Sequence, residues 1–159
     1  MRGCSGRGEM NSASQARWNA AHAGALLALL ILFFGRVAAQ CVQWLWPTPL
    51  LPEFGAWQSG LLPYWLLLAS QLAVIAVILH QIVRIWGGRA APNRRLGAVL
   101  LALGALYMAG AAFRLAAGVA NLFELPFFQA RLPSLFHMVL AAVVLVLGDF
   151  HFRGAARQG

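Results

Sequence analysis

Four long apolar runs divide the chain, at about residues 23–46, 61–85, 96–120 and 133–151, with Pro, Gly, Arg and Asn collected between them. Each has about the length, roughly 20 residues at 1.5 Å of rise, that a helix needs to cross the hydrocarbon of a bilayer. Pro63 and Pro133 stand near the starts of the second and fourth runs, where a missing backbone N–H costs a helix nothing. The pattern predicts an all-α membrane protein, a four-transmembrane-helix bundle. Composition supports it: 61% of the 159 residues are hydrophobic and 10% charged, with a mean hydropathy of +0.72. Four such helices in a soluble protein would have no polar shell around them. Residues 1–16 read as a disordered Gly/Arg-rich tail and 17–159 as a single membrane domain.

The net charge of +8 comes from twelve arginines, no lysine and four acids, Glu9, Glu53, Glu124 and Asp149. Nucleic-acid binding is not expected, because the arginines fall in tails and one connection and form no basic face on a folded surface. Their distribution sets an orientation instead. Arg2, Arg7, Arg17, Arg84, Arg89, Arg94, Arg95, Arg153 and Arg157 lie on one side of the predicted spans and only Arg131 on the other. The positive-inside rule then puts both termini in the cytoplasm, as expected of a multi-pass protein of a bacterial inner membrane. Trp44, Trp46, Trp57, Tyr64 and Trp65 make an outer interfacial belt, and Trp18 and Trp86 are inner anchors. A rival reading takes residues 1–39 as a cleaved signal peptide ending Val37-Ala38-Ala39, which removes the first span without changing the other orientations. Met10 is an alternative start. Cys4 and Cys41 fall on opposite sides of the membrane and are not expected to pair.

Polar residues inside the spans are the best guide to function, because a charge there costs roughly 2.5–3.5 kcal/mol on insertion scales. Arg36, Gln40 and Gln43 recur at i, i+4 and i+7, so they share a stripe on the first helix; Tyr107, Arg114 and Asn121 share another on the third. Glu124 closes the third helix, Ser70 and Gln71 lie in the second, and His137 is one turn into the fourth. Arg36, Gln40, Gln71, Tyr107, Arg114, Asn121, Glu124 and His137 are therefore expected to converge in the middle to outer half of the bilayer. Two readings apply: arginines that snorkel or staple helices to Glu124 or Glu53, or a pocket whose guanidinium groups hold the anionic or carbonyl end of a lipid, quinone or similar amphiphile. Gly97, Gly104, Ala111 and Gly118 mark a small-residue seam on the third helix, suited to close packing inside the protein or against another subunit.

His22, His80, His151 and Asp149 gather toward the cytoplasmic end and form an alternative haem or metal set, for a redox or enzymatic subunit. Against it, no His-Glu-x-x-His or similar spacing occurs, and His80 sits deeper than the helix ends. Asp149 has a simpler partner in Arg153 at i+4. There is no phosphate loop, no nucleophile elbow and no thiol pair, and no carboxylate at mid-membrane of the kind proton-coupled exporters use. The sequence thus points to a non-catalytic accessory subunit or binding module among membrane lipids, alone, as a homo-oligomer or in a larger complex, with its cofactor left open.

Overall fold

The computed structural model describes residues 5–52, 55, 63–120, 122 and 131–158, with side chains from Ala13 to Arg157. Its elements are four helices, α1 (Ser5–Leu45), α2 (Tyr64–Trp86), α3 (Arg94–Val119) and α4 (Arg131–Gln158). All four are long and apolar enough to cross a membrane, so the chain is a multi-pass, all-helical membrane protein. They alternate in direction. Cys41 near the end of α1 meets Tyr64 at the start of α2, and His22 in the first half of α1 meets Asp149 in the second half of α4. The N and C termini and the α2–α3 connection thus share one end of the bundle, called here the terminal end; the α1–α2 and α3–α4 connections share the loop end. Packing is closest between α3 and α4, followed by α1 against α2 and α1 against α4.

The helix ends differ from expectation for local reasons. α1 begins at Ser5 and so runs through residues 5–16, which the sequence assigns to the Gly/Arg-rich tail. Pro63 precedes α2 instead of lying in its first turn. α3 starts at Arg94 because the Asn93 side chain accepts hydrogen bonds from the backbone N–H groups of Arg95 and Leu96 at 3.0 and 3.1 Å, satisfying two orphan donors. α4 runs past His151 to Gln158.

The buried seams change character along the bundle. On α1 the seam is Ala23, Leu26, Leu30, Phe33 and Val37, then Gln40 and Gln43. On α2, read in the same spatial direction, Ile85, Ile82 and Ile78 give way to Gln71, and on α4 Phe150, Val143 and Ala141 give way to Ser134. Towards the terminal end, Ala23, Leu26, Ile82, Ile85 and Phe150 belong to one apolar core. The α3 seam faces α4: a Cβ on Gly97 would overlap the Phe152 backbone, and one on Gly104 would reach Leu145 at 2.9 Å. The small residues therefore serve internal packing, the first of the two uses expected for them.

Candidate functional site

The loop-end half of the bundle buries polar side chains from all four helices. Gln40 is fully buried, and Arg36 and Arg114 are each 8% exposed, with Gln43, Gln71 and Ser134 buried beside them. Neither guanidinium lies on the lipid-facing periphery. Arg36 is about 27 Å along α1 from Trp18, and Arg114 about 30 Å along α3 from Arg94, at 1.5 Å per residue. With Trp18 and Arg94 at one edge of a hydrocarbon layer about 30 Å thick, both guanidiniums reach the opposite edge.

Two groups of contacts meet on α4. In the first, the Arg36 guanidinium lies over the Phe136 ring, 5.3 Å from its centroid, and interacts electrostatically with Tyr64. Gln71 Nε2 donates to Gln40 Oε1 at 3.5 Å, which joins α2 to α1 one turn beyond Arg36. Cys41 Sγ and the Tyr64 hydroxyl are 3.4 Å apart, and Tyr64 packs on Trp44 with ring centroids at 5.2 Å. In the second, the Tyr107 hydroxyl and His137 Nδ1 share a hydrogen bond of 2.7 Å, its donor set by the imidazole tautomer, with the rings edge to face. The two groups adjoin on α4, because Phe136, which seats Arg36, and His137, which bonds Tyr107, are consecutive residues.

Of the residues expected at this site, Arg36, Gln40, Gln71, Tyr107, Arg114 and His137 lie in this half of the molecule, while Asn121 and Glu124 are outside the described residues. Two other polar residues noted in the spans, one from the α1 stripe and one from α2, are used otherwise. Gln43 Oε1 accepts from the Thr48 backbone N–H at 3.0 Å and closes the turn after α1; Ser70 Oγ donates to the Leu67 carbonyl at 2.7 Å, within its own helix. Tyr64, Phe136 and Ser134 are additions. The antiparallel hairpin could have indicated Tyr64, since it forces the start of α2 beside the end of α1. Phe136 is the neighbour of His137 in sequence, but nothing in the spacing marks it as the seat of a guanidinium.

At the terminal end two of the proposed haem or metal residues meet and the other two have contacts or exposure of their own. His22 Nδ1 contacts the Trp18 carbonyl at 3.0 Å and Nε2 contacts Asp149 Oδ2 at 3.1 Å, while Arg153 Nε donates to Asp149 Oδ1 at 2.7 Å. His151 Nδ1 accepts from the Asn93 backbone N–H at 3.3 Å, and His80 is exposed on α2. Among the described residues, no three His, Cys, Asp or Glu side chains are grouped to hold a metal ion. The expected i,i+4 pair of Asp149 and Arg153 is present, and His22 extends it across to α1. No protein family, curated protein or solved structure matches this chain.

Proposed function

We propose that the protein is a non-catalytic binding module or accessory subunit of a bacterial inner membrane, with both termini in the cytoplasm, whose loop-end cluster receives the polar head of an amphiphile. The observation that carries this reading is the burial of two arginines, Arg36 and Arg114, in the same half of the bundle as buried Gln40 and Gln71, with Arg36 seated on Phe136 and His137 next to it bonded to Tyr107. Guanidinium presents planar, permanently charged donors, which suit a phosphate, carboxylate or quinone oxygen at a half-dry boundary. The Gln40 and Gln71 amides add neutral donors and acceptors next to Arg36, and apolar walls along the seams suit a tail.

Native purification followed by mass spectrometry of what accompanies the protein tests the proposal. Arg114→Leu and Arg36→Leu, each checked for helical content, should lower a co-purifying lipid or quinone or release a partner subunit. An unchanged complement in both variants overturns the reading. The same preparation should be colourless; a Soret band would transfer the function to a haem held by the histidines.

A further inference from the structure

The terminal end carries two adjoining grooves that the loop-end cluster does not use. One, of about 500 Å³, is lined by Ser14, Arg17 and Trp18 of α1 and Arg157 of α4. The Arg157 guanidinium lies over the Trp18 ring at 4.2 Å, so stacking holds one of its faces and leaves its edge at the groove. The second groove, of about 380 Å³, is walled by Ala21 and Ala25 of α1, Leu101 of α3, and Leu145 and Val146 of α4. Ala21 belongs to both, so the polar groove continues into the apolar one.

The two differ in chemistry in the order a lipid would require. Arg17 and Arg157 give the first a positive field. The one described acid nearby, Asp149, is turned to His22 and Arg153 and does not cancel it. The second groove runs deeper: Ala25 is about 12 Å further along α1 than Arg17. Small side chains on α1 form its floor and leucine and valine its sides, with nothing for a polar partner to bond to except the already engaged His22–Asp149 pair. Basic recesses between transmembrane helices at the membrane surface are suited to anionic headgroups.

We infer that these grooves form one binding site for an anionic phospholipid, with the phosphate between Arg17 and Arg157 near the Ser14 hydroxyl and an acyl chain on Ala21, Ala25, Leu101, Leu145 and Val146. It is separate from the loop-end cluster and stands or falls independently of it.

The test is native mass spectrometry of the full-length protein in mild detergent, with phosphatidylglycerol or phosphatidylcholine added. Phosphatidylglycerol should be retained in preference, and Arg17→Gln with Arg157→Gln should reduce its retention by roughly fivefold for each arginine removed. Ala25→Phe, which fills the apolar groove from an exposed position, should reduce retention with both arginines intact. Millimolar inorganic phosphate should fail to displace the lipid. Equal retention of the two lipids, no loss in the double variant, no effect of Ala25→Phe, or displacement by phosphate alone would each overturn the assignment. A second protein bound in place of lipid, lost on Ala25→Phe, would overturn it as well and make the groove a docking surface.

Discussion

Gln40 and Gln71 bury two amides between α1 and α2 for the sake of one long hydrogen bond, leaving Gln40 Nε2 and Gln71 Oε1 without a hydrogen-bond partner among the described residues. Removing one amide strands the other, whereas removing both leaves an apolar pair of similar volume. Gln40→Leu or Gln71→Leu alone should cost about 1 kcal/mol, and the double variant less than the sum, with a coupling of about 0.6 kcal/mol, in the usual range between membrane helices. A double-mutant cycle of unfolding free energies checks this; strictly additive costs would show that the amides act separately. The α1 members of the cluster were legible beforehand, since Arg36 and Gln40 recur at helical spacing in an apolar run and such groups turn inward when they can. The bond between Tyr107 and His137 was not. It depends on the register of α3 against α4, which the spacing within either helix leaves open.

That register is set by close approach at the scale of the helix pair. The N-terminal part of α3 lies so near α4 that an added Cβ on Gly97 falls 2.6 Å from Phe152 Cα, and main chain cannot rotate aside as a side chain can. Gly110, on the same helix, has nothing within 4 Å of its added Cβ. The same substitution therefore has opposite expectations at the two sites. Gly97→Ala should destabilise by about 1–3 kcal/mol through overpacking, and Gly110→Ala should be neutral or stabilise by up to about 1 kcal/mol through lower backbone entropy. Thermal or denaturant unfolding of both variants decides; equal effects would mean that the seam does not hold the pair together. The seven-residue recurrence of small residues made the seam readable, but not its partner, because a close-packing face looks the same for an internal helix as for another subunit. Helix ends were read less well. The cap at Asn93 depends on local hydrogen bonds, to which a hydropathy pattern is blind.

Across the whole molecule, the polar and apolar halves of the four seams bear on how the protein sits in the membrane. The terminal end is ringed by arginines: Arg153 engages Asp149, Arg157 stacks on Trp18, and Arg94 lies over Phe152 with 5.3 Å to the ring centroid. At the loop end the described charges are turned inward, apart from exposed Arg131. Arginine-rich connections resist translocation, so the terminal end should face the cytoplasm. The orientation can be read from fusions to the full chain. Green fluorescent protein after Gly159 should fluoresce, alkaline phosphatase at that position should be inactive, and alkaline phosphatase inserted after Thr48 should be active. The reverse pattern would place the buried guanidiniums of the loop end on the cytoplasmic side and would change the amphiphile proposed for them, since the two leaflets offer different headgroups. Neutralising Arg84, Arg89, Arg94 and Arg95 together should produce a mixed population by the same assay. That connection carries most of the bias between the spans, and the tails alone leave a smaller difference for the insertion machinery to act on.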